Sequence, residues 1–136
     1  IFDIYMPDLK FMDGEVAEKF CRARNYPEKA QAAIQEMHRQ VGDLALDSRG
    51  TATRGLLVRH LVLPGGAAGA DRVMRFLARE ISADTWVNVM GQYRPCHRAF
   101  EHPALSRRTT ADEHAAALAA ARRAGLWRLD GLEDQP

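Results

Sequence analysis

The stretch LLVRHLVL, residues 56–63, constrains the fold more than any other part of the chain. It is nearly continuous in Leu and Val, broken only by Arg59 and His60. Such a run suits a parallel strand covered on both faces, because a strand with one wet face alternates apolar with polar residues. Parallel neighbours need crossover connections, usually helices, and the flanking sequence offers them. FDIYM is rich in β-formers and reads as a first strand. Asp13-Gly14 marks a turn and a helix cap, and EVAEKFCRA follows as a short helix. NYPEKAQAAIQEMHRQVGDL sets Pro27 at a helix start and places Ala30, Ile34, Met37 and Val41 on one stripe. DSRGTATRG reads as a polar loop.

After the central strand, PGGAAGAD is a glycine-rich turn. DRVMRFLAREIS reads as a helix with Val73, Phe76, Leu77 and Ile81 inward. TWVNVM is a third strand, and GQYRPCHRAFEHPALSRR a long loop. Thr110 and Glu113 have capping-box spacing and open the helix ADEHAAALAAARRA, which Gly125 ends. LWRLD is an apolar tail that suits a final short strand. Strands alternating with helices imply parallel βαβ units. The expected class is α/β, with three to four mostly parallel strands and covering helices.

At 136 residues the chain suits one domain. Its net charge of +1 gives no bulk attraction to nucleic acid or to an anionic membrane. No apolar run is long enough to span a bilayer, since Arg59, His60 and Pro64 interrupt the best one. No secretory signal is evident, so a cytoplasmic protein is expected. Cys21 and Cys96 are far apart and match no zinc, redox or cluster spacing.

Ligands of parallel α/β folds meet the carboxyl ends of strands. In an extended first strand Phe2, Ile4, Met6, Asp8 and Lys10 share a face. That face turns from apolar to charged where the strand should reach a site. Asp8 and Lys10 also suit a solvated ion pair. Arg59 in an apolar strand needs either an acidic partner or a ligand carboxylate or phosphate. Asn88 needs partners as well, and it shares a face with Gln92, opposite Tyr93. The 64–71 loop offers backbone N–H groups that would cradle a phosphate, but it lacks the GxxxxGK[ST] and GxGxxG patterns. This leaves a phosphate- or nucleotide-binding α/β module as an alternative function. None of the five histidines has paired metal-ligand spacing.

Taken together, DIYMPDLKFMD, AIQEMHRQVGDL, GLLVRHLVLPGG and VNVMGQYRP resemble the C-terminal half of a radical S-adenosylmethionine protein. The most similar group is the pyruvate formate-lyase activating enzyme-like family. The resemblance covers nearly the whole chain. It implies a partial (β/α)6 barrel, of which residues 1–136 form a single incomplete domain beginning at about the fourth strand. It implies S-adenosylmethionine and a 4Fe-4S cluster held by a CxxxCxxC motif, with reductive cofactor cleavage and hydrogen abstraction from a protein or other substrate. That motif is absent from this chain, so the chain alone is expected to be inactive. By the resemblance, Asp8, Lys10, Arg59, Asn88, Gln92 and Tyr93 are cofactor-binding candidates, and Arg59 matches the Arg of the family's VRY-V-VPG stretch. GQYRP stands where the family carries a histidine, which leaves the substrate, protein or small molecule, unassigned. A first strand without its preceding neighbour is expected to self-associate.

Overall fold

The longest strand, β3 (Ala52–Leu61), is the axis of the sheet. The computed structural model describes residues 2–130. Around β3 the elements run β1 (Ile4–Tyr5), α1 (Gly14–Cys21), α2 (Tyr26–Val41), β2 (Ala45–Leu46), α3 (Ala70–Phe76), β4 (Trp86–Met90), α4 (Ala111–Ala124) and β5 (Leu129–Asp130). The spatial order is β1-β3-β4-β5, with every pairing on that path parallel. The α/β class and the mostly parallel sheet agree with the sequence. The strand count does not, because β2 adds a fifth strand, antiparallel to β3.

The hairpin's turn and the start of β3 lie in DSRGTATRG, read as a polar loop, and β2 immediately precedes it. The Asp47 carboxylate accepts the Arg49 and Thr51 N–H groups at 2.8 and 2.9 Å. Ala52–Arg54 then pair with Ala45 and Leu46. Ala45 and Leu46 are exposed and form too short a run to signal a strand, and Thr53 and Arg54 opposite also face water. The first strand is also shorter than FDIYM suggests. Its pairing resumes after Met6 as the bridge between Asp8 and Arg59, with the Leu9 N–H on the Arg59 carbonyl at 2.9 Å.

Alternation along β3 sets which face is dry. Leu56, Val58 and His60 are fully buried, whereas Leu57, Arg59 and Leu61 are half-buried. The buried set joins Val87 and Val89 of β4, Ile34 and Val41 of α2, Val73 and Leu77 of α3, and Ala121 of α4 in one core. Each such Leu or Val contributes roughly 1.5–3 kcal/mol by leaving water. The expectation of cover on both faces is therefore corrected. Among the described residues α2, α3 and α4 pack on one face. The run looks continuous only because Leu57 and Leu61 flank Arg59 on the other. α1 packs beyond the end of the sheet, where Ala17 meets Phe11, Leu63 and Leu105.

The helix ends follow the sequence signals. Asp13 caps α1, accepting the Glu15 and Val16 N–H groups. The α4 capping box is complete, with Thr110 and Glu113 each accepting the other's backbone N–H. The α2 stripe points inward as spaced, Ile34 and Val41 being the most buried. The reading of 71–82 as one regular helix needs correction. Beyond Phe76 the chain widens into a π-turn, Leu77–Ile81, closed by the Ser82 N–H on the Leu77 carbonyl at 2.9 Å. Residues 91–108 are not all irregular, since His97–Glu101 and Pro103–Leu105 form 3-10 turns. No described helix is long and apolar enough to cross a membrane.

Candidate functional site

The open face of the sheet carries a polar row. Strand register places Asp8 beside Arg59, Arg59 beside Asn88, and Asn88 beside Asp130. Three strands, and the Asp8 bridge beyond β1, thus each deliver one polar residue at the same level.

The row is wired from the first strand. Arg59 Nε donates to Asp8 Oδ1 at 2.7 Å, and Lys10 Nζ donates to Asp8 Oδ2 at 2.9 Å. Partial burial pushes the Asp8 carboxyl up, but the Lys10 and Arg59 bonds and charges outweigh it. The net effect holds Asp8 below the ordinary aspartate range. Tyr26 clamps the same turn: its hydroxyl donates to the Asp8 carbonyl at 3.0 Å and accepts the Lys10 N–H at 2.9 Å. Burial raises the Tyr26 phenol, so it stays protonated as that clamp requires. Arg59 spends only Nε in this network. Its two terminal nitrogens have no partner among the described residues. An arginine fixed by one carboxylate, with a planar fork to spare, is suited to bind a second carboxylate or a phosphate.

Asn88 lies in register with Arg59, but its amide reaches Asp130 instead, at a long 3.5 Å. Gln92 falls beyond the end of β4, is exposed, and makes no side-chain hydrogen bond among the described residues. Extended geometry stops at Met90, so the face shared by Asn88 and Gln92 does not persist. Tyr93 turns away and donates to the Leu105 carbonyl at 2.8 Å. Three of the six candidates, Asp8, Lys10 and Arg59, therefore form one bonded cluster. Asn88 adjoins it, while Gln92 and Tyr93 make no hydrogen bond to it.

Three participants escaped the sequence reading. Tyr26 gives no motif, because it acts from a helix start onto a backbone turn 16 to 18 residues earlier. Asp130 sits in a two-residue strand. Arg128 lies over the Trp86 ring, 4.8 Å from its centroid, next to the open face.

The glycine-rich 64–71 loop is used differently from a phosphate cradle. Gly65 N–H already donates to Glu113 Oε1 at 2.7 Å. Glu113 is held in turn by Arg107 and by the Thr110 N–H, which draw its carboxyl far below the usual range. A protein carboxylate fills the position where an anion would bind. α3, which follows the loop, is only seven residues long.

Cys21 and Cys96 are both exposed, and neither is disulfide-bonded. Among the described residues no three His, Cys, Asp or Glu side chains are grouped to hold a metal. The donors present do not fit a 4Fe-4S cluster, which takes three or four closely spaced thiolates.

No protein-family model matches the chain, and no solved structure matches it. An uncharacterized protein of Methanocaldococcus jannaschii is 29% identical over 135 residues. The match covers 98% of this chain and 35% of that protein, so the chain spans about a third of its relative's length.

Proposed function

We propose that this chain is the C-terminal half of a radical S-adenosylmethionine protein of the pyruvate formate-lyase activating enzyme-like kind, acting on a protein or small-molecule substrate. The observation that carries the reading is the polar row on an uncovered sheet face. A doubly wound sheet has helices on both faces and reverses its strand order at a switch point. Here the parallel strands follow one another in chain order and the core helices lie on one side. That arrangement suits one wall of a (β/α) barrel, with the open face turned inward. In a partial (β/α)6 barrel, Asp8, Arg59, Asn88 and Asp130 would line the interior.

Arg59 fits the carboxylate of S-adenosylmethionine, because Asp8 fixes its Nε and leaves the fork available. Lys10 adds positive charge and holds Asp8 ionised. When bound, the cofactor would supply hydrogen-atom abstraction. The reading assigns the cluster ligands to residues outside this chain, so the 136 residues alone are inactive.

The test uses the full-length protein that carries this chain, reconstituted anaerobically with iron and sulfide and given S-adenosylmethionine and dithionite. The expected result is a cluster absorbance band and release of 5′-deoxyadenosine. Arg59→Ala should lose a charge-assisted contact of about 1.5–3 kcal/mol, which is about ten- to a hundredfold in that release. Its unfolding midpoint should fall by much less. Absence of the cluster, or a cluster with no 5′-deoxyadenosine, overturns the reading.

A further inference from the structure

A cavity of about 700 Å³ opens where the carboxyl ends of β1 and β3 meet α1 and the loop after β4. Its volume lies within the roughly 300–1,000 Å³ typical of small-molecule sites. We propose that it binds a small organic anion with a flat apolar body.

The walls divide by chemistry. Phe11, Leu63 and Leu105 are buried and form an apolar floor beside Phe20. Phe20 already accepts one flat partner, the His102 ring, edge-on at 5.2 Å. The charged lining is one-sided. Glu18 is the single carboxylate among the lining residues, set against Lys10, Lys19, Arg22 and Arg98. Lys10 pairs with Asp8, which it shares with Arg59, and Arg98 pairs with Glu101. Lys19 and Arg22 have no acidic partner among the described residues. Lys19 rests over the Phe20 ring, 5.4 Å from its centroid. Lys19 and Arg22, set against Glu18 alone, leave a net positive charge above an aromatic floor, which complements a ligand with one anionic head and one apolar face.

The backbone supports the same place. Among the described residues only two non-glycine positions have positive φ, Arg22 at 53° and His97 at 50°. Both line this cavity, Arg22 from the end of α1 and His97 from the segment after β4. Arg22 is the left-handed C-cap that ends α1, its N–H on the Glu18 carbonyl, which leaves His97 as the strained position at the cavity. The site is built wholly from this chain, so its failure would leave the radical reading untouched.

The chain carries its own reporters. Its two cysteines, Cys21 and Cys96, are exposed and both line the cavity. The experiment follows N-ethylmaleimide alkylation of each thiol by mass spectrometry. The probes are naphthalene-2-carboxylate, 2-naphthyl phosphate and the neutral 2-naphthalenemethanol. A bound anion should slow both thiols about tenfold at ten times its dissociation constant, by mass action. The alcohol should bind about tenfold more weakly, lacking the charge-assisted contact. The carboxylate and phosphate arms separate the two head groups. Lys19→Gln with Arg22→Asn should remove the advantage of the anions over the alcohol, judged as each variant's ratio of rates with and without probe. Asn tolerates the left-handed backbone at position 22. No protection, equal protection by the alcohol, or anion preference surviving in the double variant overturns the proposal.

Discussion

His60 is fully buried, and only one of its two ring nitrogens has a partner. Nδ1 donates to the Leu9 carbonyl at 2.7 Å, while Nε2 has none. Burial, with a smaller push from the Lys10 charge, lowers its pKa, so the folded protein keeps it neutral. The unfolded chain protonates it near the ordinary value of about 6.5. Between those two values the unfolded state binds more protons, so stability falls as pH drops below about 6.5 and is level above it. His60→Asn keeps a short donor for the Leu9 carbonyl and removes the titration. Urea midpoints at about pH 7.5, 6 and 5 should decline for the wild type and stay flatter for the variant. Equal slopes would place the pH dependence elsewhere. Arg59 was legible from sequence for a related reason: a guanidinium in an apolar strand must be paired, and the structure supplies Asp8. His60 in the next position faces the opposite side of the sheet and belongs to the core. Only the parity of the strand separates a site residue from a core residue there.

At the scale of elements, Gly55 is where three segments crowd. Its N–H donates to the Asp3 carbonyl at 2.8 Å, and its φ is 117°. An added Cβ would lie 2.5 Å from Leu44 Cα and closer still to the Asp43 carbonyl oxygen. All of these neighbours are backbone, so none yields cheaply. Gly55→Ala should cost roughly 2–4 kcal/mol from strain and overpacking together. Thermal unfolding would detect it, with Gly50→Ala in the open hairpin turn as the milder comparison. A loss no larger than that of Gly50→Ala would mean the β1–β3 junction adjusts. The sequence displayed the helices and the two central strands through period and capping. It concealed the β2–β3 hairpin, whose two-residue strand, Ala45–Leu46, is too short to show a period. It also concealed the π-turn at Leu77–Ile81, which keeps helical spacing until its last hydrogen bonds.

Across the whole molecule the dominant asymmetry is between the two faces of the sheet. One face is sealed by three helices, while the other presents Phe2, Ile4 and Met6, 68, 40 and 56% exposed, at its β1 edge. β1 pairs with β3 on one side and with nothing on its other side among the described residues. An unpaired edge beside an apolar patch recruits further strands. The charged part of the same face is less adhesive, because Asp8, Lys10 and Arg59 are paired and remain partly exposed to water. The 136-residue chain should therefore associate reversibly through residues 2–6, not through the polar row. Light scattering over a concentration series should show mass rising with concentration. Replacing Phe2, Ile4 and Met6 by Ser, Thr and Gln should abolish the rise. Leu46→Gln, which removes an exposed apolar group on β2, should leave it unchanged. A wild-type chain that stays monomeric at high concentration, or a rise that survives the triple substitution, would show that the β1 edge does not attract partners. The first outcome would mean that hydration of the neighbouring ion pairs keeps the open face apart.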